Sequence, residues 1–122
     1  QAFCTRTQQR FSLRHELSVT SRCECCDKEN TLRPDIVWFG EIPYQMSEIY
    51  RAISACDIFI SIGTSGNVYP AAGFVDAANQ AGAHTVELNL EPSLGESAFA
   101  EKHYGKASDL LADYFKTLLA AG

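Results

Sequence analysis

The sequence predicts an α/β chain: a parallel sheet with helices on both faces, preceded by a small loop-rich module that carries most of the cysteine. Three observations lead there. Strand-like apolar runs at Ile36–Phe39, Ile58–Ile62 and His84–Asn89 alternate with segments of helical period. The run Ile58–Ile62 is apolar at nearly every position, as in a strand covered on both faces. Four of the five cysteines lie within the first 26 residues, in a tract with weak periodicity of any kind.

The elements follow in order. Residues 1–32 read as a small polar module, and Ser21 to Asn30 as a tight knuckle and not a helix. From Arg33 the character changes, which sets a second region at 33–122. Pro34 biases its predecessor toward extended structure, and Ile36–Phe39 is expected to be a strand stopped by Gly40. Met46, Ile49, Tyr50 and Ile53 recur at helical spacing, with Ser47 or an earlier residue as cap. The strand Ile58–Ile62 follows. Pro70 suits a first helical turn; Ala71, Phe74, Val75 and Ala78 share one face, and Gly82 closes the helix. Next come a strand at Thr85–Asn89, a loop from Glu91 to Glu101, and a last helix from about Ser108 to Leu119. Crossovers between the parallel strands should be right-handed.

Size and charge narrow the function classes. At 122 residues the chain is one domain, or one domain with a small insert. With 46% hydrophobic residues it should bury roughly 65% of its unfolded surface. A net charge of −5 leaves no basic footprint for nucleic acid. No run approaches the ~18 apolar residues of a membrane span. Gln1-Ala2-Phe3-Cys4 lacks the basic and apolar stretches of a signal peptide, so a cytoplasmic location is expected. The missing initiator Met leads to the expectation of a processed chain or a fragment.

The odd cysteine count and absent secretion signal argue against a disulfide framework, and the clustering points to zinc, with free solvated thiols as the alternative. Cys23-x-x-Cys26 has the spacing of a zinc half-site, and Cys4 precedes it by 19 positions. A paired C-x2-C site would want cysteine at position 7, where Thr7 stands. The ligands are therefore Cys4, Cys23 and Cys26, with Cys25, His15 or water in the fourth place. Cys56 ends a helix before a strand and reads as a buried, inert thiol.

Two strand ends carry nucleotide chemistry. Ligands of open parallel sheets bind beyond the carboxyl ends of the strands. Gly63-Thr64-Ser65-Gly66 offers close backbone approach and two hydroxyls. Asn89-Leu90-Glu91 offers an amide and a carboxylate for ribose hydroxyls and an apolar side chain for a base. Ordinary turn chemistry would produce similar runs, and the glycine fingerprint of the dinucleotide fold is absent.

Taken with two further blocks, these residues support a family. Arg33 to Glu41 (RPDIVWFGE), Gly63 to Gly73 (GTSGNVYPAAG), Val86 to Pro92 (VELNLEP) and Tyr104 to Ser108 (YGKAS) stand in order. The chain resembles the carboxyl-terminal half of a sirtuin, an NAD-dependent protein-lysine deacylase, most like the bacterial and mitochondrial-type class. The resemblance runs from Cys4 nearly to the end. It implies a Rossmann-like sheet and a structural zinc insert. It implies that Gly63, Thr64 and Ser65 hold the phosphate–ribose region of NAD, that Asn89, Leu90 and Glu91 hold the adenosine, and that Ala107 meets the adenine by its backbone. Val37, Phe39 and Gly40 would line the acyl-lysine tunnel, with the substrate peptide added as a strand along a cleft near Glu41.

The resemblance also implies an activity and a gap. The activity is removal of acyl groups, acetyl or succinyl, from protein lysine, giving nicotinamide and O-acyl-ADP-ribose. The family's catalytic His sits in a His-Gly block that would fall just before Gln1. The glycine-rich NAD loop and the acyl-selecting Tyr/Arg pair lie further upstream. His15, His84 and His103 do not fit that block and read as structural or solvent-exposed. Loss of a positioned base costs ~10²–10⁴-fold. Activity is therefore expected only with the missing amino-terminal half. The alternatives are a non-catalytic module for NAD or ADP-ribose, or a truncated inactive product.

Overall fold

The computed structural model describes residues 1–122. Its contacts divide the chain into two compact units, Gln1–Tyr44 and Gln45–Gly122.

The first unit is built on a three-stranded antiparallel sheet. Strands β1 (Ala2–Cys4), β2 (Arg10–Phe11) and β3 (Leu32–Pro34) lie in the order β2-β1-β3. In β1 the two-residue period of a strand puts Ala2 and Cys4 on one face, both fully buried. Phe3 turns to the other face, where the guanidinium of its partner Arg33 lies 5.1 Å from the ring centre. The buried residues of the unit are Ala2, Cys4, Cys23 and Thr31. Two of these four are cysteines.

One sequence expectation fails here. Ile36–Phe39 is not a strand: β3 ends at Pro34, and bends and a turn follow. Side-chain bonds hold this segment instead of a ladder. Asp35 accepts from Arg10 at 2.9 Å and from the Tyr44 hydroxyl at 3.0 Å. Glu41 receives both terminal nitrogens of Arg33 and the Trp38 N–H, and its own N–H closes a turn onto the Trp38 carbonyl. The Arg33 guanidinium holds the Glu41 carboxyl below its usual value. Strand propensity reports fit to a half-buried pleated surface. No such surface forms here, and Phe39 is 91% exposed.

The second unit is a parallel α/β arrangement. It runs α1 (Met46–Ala55), β4 (Ile58–Ile62), α2 (Phe74–Ala81), β5 (His84–Asn89), β6 (Glu101–Tyr104) and α3 (Ala107–Ala121). The strands pair in the order β4-β5-β6, all parallel. The three expected helices are present. Helix α1 starts from Gln45 in a left-handed conformation without a side-chain cap, so Ser47 does not serve as one. Helix α2 follows a short 3-10 turn at Ala71–Gly73 and ends at Gly82, whose φ of +85° is the left-handed cap that glycine suits.

Burial corrects the reading of the sheet. The strand covered on both faces is β5, where Thr85, Val86, Glu87 and Leu88 are all buried. Helices α2 and α3 both contact it. Asn79 of α2 accepts from the Thr85 hydroxyl at 2.9 Å, while Leu88 and Leu110 of α3 wall a common cavity. Strand β4 has one pairing partner, and Ile58 and Ile62 at its ends are exposed. Ile53, Ala78 and Ala83 form the core on the α1–α2 side, with Cys56 and Phe59 packed against them. Cys56 is half-buried, and its thiol donates to the Ile53 carbonyl at 3.2 Å.

Strand β6 lies across the end of the expected loop. Glu101-Lys102-His103-Tyr104 contains no β-branched residue, so propensity does not mark it. Its charges suit an edge strand. There His84 and His103 place Nε2 at 2.7 and 2.6 Å from the two carboxylate oxygens of Glu101. These bonds hold the Glu101 carboxyl below its ordinary 4.5. A carboxyl depressed by folding adds stability above its unfolded value and loses it as pH falls through the folded one. Glu101→Gln should therefore lower the melting midpoint at pH 7, and the gap from the parent should narrow as pH drops below 4.5. A gap that stays constant to pH 3 would reject this assignment.

Candidate functional site

Because the sheet is parallel, β4, β5 and β6 all deliver their carboxyl ends to one edge. The turn after β4 is fixed from several sides. Gly63 takes φ +62° and donates to the Leu88 carbonyl at 3.0 Å. Thr64 Oγ1 accepts from the Gly66 N–H at 3.3 Å, and Ser65 Oγ donates to Asn67 Oδ1 at 2.8 Å. Asn89 ties the two strand ends together: Nδ2 donates to the Thr64 carbonyl at 2.7 Å, and Oδ1 accepts from the Leu90 N–H at 3.0 Å. Leu94 N–H reaches the Ser65 carbonyl at 3.0 Å, and Gly105 N–H reaches the Asn89 carbonyl at 2.9 Å.

This edge holds two adjoining cavities. One, of about 360 Å³, is lined by Gly63, Thr64, Ser65, Asn89, Leu90 and Glu91, with Pro92, Ser93 and Leu94 beyond. The other, of about 380 Å³, shares Gly63, Asn89 and Leu90 and adds Ile62, Leu88, Gly105, Lys106, Ala107, Leu110 and Leu111. The first is polar in its side chains and the second mainly apolar. The structure thus brings together Gly63, Thr64, Ser65, Asn89, Leu90, Glu91 and Ala107, all seven residues that the sequence singled out for a cofactor. It adds Lys106, which the sequence marked only as part of the Tyr104–Ser108 block, and Leu110 and Leu111, which fell within the expected last helix.

The chemistry of this edge fits a nucleotide. The buried Ser93 hydroxyl has no hydrogen-bond partner and stands in the wall of the polar cavity. A side chain at Gly66 would bring its Cβ to 3.1 Å from that oxygen. At Gly63 nothing lies within 4 Å of the Cβ position, so the backbone there is open to a ligand. An apolar chamber beside a hydroxyl-lined one matches a base beside a ribose and its phosphates.

Val37, Phe39 and Gly40 lie in the first unit. Val37 is half-buried, Phe39 and Gly40 are exposed, and Gly40 takes φ +86°. Trp38, Ile42 and Tyr44 are exposed with them.

The cysteines form a cluster. The Sγ atoms of Cys4, Cys23, Cys25 and Cys26 all lie within 4.8 Å of one another. Cys4 and Cys26 are 3.8 Å apart, and Cys23 and Cys25 are 3.1 Å apart. Four thiolates around one zinc at ~2.3 Å stand about 3.8 Å from each other, so the spacing suits one ion. Strand β1 supplies Cys4. A turn supplies the rest, closed by Asp27 N–H donating to the Cys23 carbonyl at 2.7 Å with Asp27 at φ +50°. Hydrogen bonding from Thr7 pulls the Cys4 thiol down, bonding from Thr31 pulls Cys26 down, and burial pushes Cys23 up. Sulfurs gathered this closely are what a divalent cation can hold together as thiolates. His15 is exposed and outside the cluster, and Cys56 belongs to the other unit.

Comparison with known proteins decides the family. Residues 1–70 match the family model described as "Sir2 family".

The chain belongs to the Sir2 family.

It is 55% identical over 116 residues to an NAD-dependent protein deacylase of Yersinia pseudotuberculosis, an overlap covering 95% of this chain and 42% of that protein. The fold is shared with a solved Sir2 homologue, a point mutant in complex with ADP-ribose: TM-score 0.86, 25% identity, 98% of this chain and 49% of that one. A Sir2 homologue–NAD complex gives TM-score 0.85 at 26% identity, over 98% of this chain and 48% of that one. The chain thus spans about half the length of the Sir2 proteins it matches. The expected parallel α/β fold and sirtuin membership are borne out.

Proposed function

We propose that this chain supplies the adenosine side of the NAD site and the zinc module of a protein-lysine deacylase. The paired cavities at the carboxyl edge of β4 and β5 carry the proposal. Family membership adds to it, as do relatives described as NAD-dependent deacylases. On this reading Gly63, Thr64 and Ser65 hold the phosphate–ribose region. Asn89 fixes the loops, Leu90 and Glu91 face the adenosine, and the backbone at Ala107 meets the adenine. Val37, Phe39 and Gly40 present an apolar wall to the acyl-lysine of a protein substrate. Cys4, Cys23 and Cys26 hold zinc. Residues 1–32 then act as the metal module and 33–122 as the carboxyl-terminal part of the NAD domain.

NAD, when bound, supplies the activated ribose that receives the acyl oxygen. The chain's own residues bind and orient it. None of the three histidines lines either cavity, so the base that the reaction needs comes from the amino-terminal half. The complete protein then releases nicotinamide and O-acyl-ADP-ribose, acting in the cytoplasm. No helix of the chain is long and apolar enough to cross a membrane.

The test is reconstitution. The chain is joined to, or co-expressed with, an amino-terminal half from a Sir2 relative and given NAD and an acetyl-lysine peptide. Nicotinamide release should require both halves. Absence of NAD-dependent product with both halves present and folded would reject the enzyme reading. It would leave the second one, a module that holds ADP-ribose without turnover, which the cavities alone support.

A further inference from the structure

We infer that Glu87 and Tyr104 are positioning residues of the nucleotide edge: the buried Glu87 carboxylate holds the Tyr104 side chain, and Tyr104 sets Asn89, which lines both cavities. The inference deepens the nucleotide reading above and rests on it.

Stability does not explain Glu87. It lies within β5 at 1% exposure, between the buried apolar Val86 and Leu88. A carboxyl taken out of water needs hydrogen bonds to its oxygens. Oε2 has one, from the Tyr104 hydroxyl at 2.9 Å. Oε1 is buried and has none. Lys102 stands opposite Glu87 in the register, but its ammonium goes to Glu96 at 3.0 Å. A well-packed apolar side chain at this position would cost the fold less. A half-satisfied buried group calls for another cause, and such groups collect at functional sites.

The register supplies that cause. Side chains alternate along a strand, so Thr85, Glu87 and Asn89 share one face of β5. The Thr85 hydroxyl meets Asn79 of α2, so this face looks toward α2. Tyr104 pairs with Asn89 across the parallel ladder and stands on the same face. To reach Glu87 its side chain leans back two residues along β5. That contact fixes Tyr104 beside the Asn89 amide. Asn89 in turn donates to the Thr64 carbonyl at 2.7 Å and lines both cavities. Gly105, next after Tyr104, returns its N–H to the Asn89 carbonyl at 2.9 Å and opens the segment that brings Ala107 to the apolar chamber. Burial, and then the Glu87 carboxylate, push the Tyr104 hydroxyl up to about 12, so it remains a donor at neutral pH. One buried carboxyl thus orients the ends of two strands.

Positioning and packing predict different results for the same variants. Replacing both partners by apolar groups leaves no orphan behind. In the zinc-loaded chain, Glu87→Met/Tyr104→Phe should keep or raise the melting midpoint. Its affinity for ADP-ribose, read by calorimetry, should nonetheless fall about 3–10-fold, the loss that corresponds to one ordinary hydrogen bond. Glu87→Gln keeps an acceptor for the Tyr104 hydroxyl and should keep the parent's affinity. A second readout needs no ligand: exchange of the Asn89 side-chain amide hydrogens should be slow in the parent and in Glu87→Gln, and faster in the double variant. Unchanged affinity or unchanged Asn89 exchange in the folded double variant would overturn the inference. So would a midpoint lowered in step with affinity, which is the mark of packing alone. Tyr104 is 39% exposed, so Tyr104→Phe removes the hydroxyl without opening a cavity. If the double variant does not fold, this single variant decides by affinity and exchange. A parent that binds no ADP-ribose would overturn the nucleotide reading, while Asn89 exchange still decides whether the pair positions that residue.

Discussion

Chelation of zinc from the loaded chain should unfold the Gln1–Tyr44 unit while leaving the β4-β5-β6 sheet intact. Very small domains seldom bury enough apolar surface to fold on it alone. Here the deficit is visible residue by residue, since Ala2, Cys4, Cys23 and Thr31 are the buried set and two of the four are thiols. Structural zinc contributes apparent binding energies of ~10–16 kcal/mol in small metal-folded domains. That exceeds what the partly buried Arg10–Asp35 and Arg33–Glu41 pairs can supply, since hydrogen bonds to charged groups give about 1.5–3 kcal/mol each. Amide exchange gives the readout by segment. Protection at Phe3 and Cys4 should vanish with chelator, and protection at Val86 to Leu88 should remain. Retained protection at Cys4 in a metal-free chain would contradict the account.

Leu88→Ala should be the most damaging simple truncation in the second unit. Leu88 is among the largest fully buried side chains, in the strand covered on both faces. It also walls a cavity of about 380 Å³. A wall already facing empty space has little with which to refill the gap, so the cost should lie in the upper part of the ~2–5 kcal/mol range for such changes. Against a typical ~5–15 kcal/mol of total stability, that is a large fraction. Leu88→Met should cost less than about 1.5 kcal/mol. Denaturant midpoints measure both. On the proposed function, both variants should also weaken ADP-ribose binding, the alanine more than the methionine. Equal stability of Leu88→Ala and the parent would show that β5 is not the core strand.

Much of the second unit was legible because its signals are local. The helix spacing from Met46 to Ile53, the cap at Gly82 and the run His84–Asn89 each state their structure within a few residues. The candidate site was legible for a related reason. Parallel strands must end at one edge, so Gly63–Ser65 and Asn89–Glu91 had to meet once the strands were placed. What escaped depends on neighbours. Ile36–Phe39 has strand composition and no partner, while Glu101–Tyr104 has a partner and no strand composition. The apolar run Ile58–Ile62 looked central but lies at the edge, because pairing order is not written in either strand alone. Cys25 could be weighed from spacing but not placed, since its position beside Cys4, Cys23 and Cys26 depends on a turn that folds three sulfurs toward one point.

The central claim is that this chain carries the adenosine side of an NAD site. Titration calorimetry of the zinc-loaded chain with ADP-ribose tests it most directly. The account predicts saturable binding with one site per chain, weakened in Gly66→Val, whose side chain would enter the space beside Ser93. A well-folded chain that gives no heat and no thermal stabilisation at millimolar ADP-ribose would contradict it.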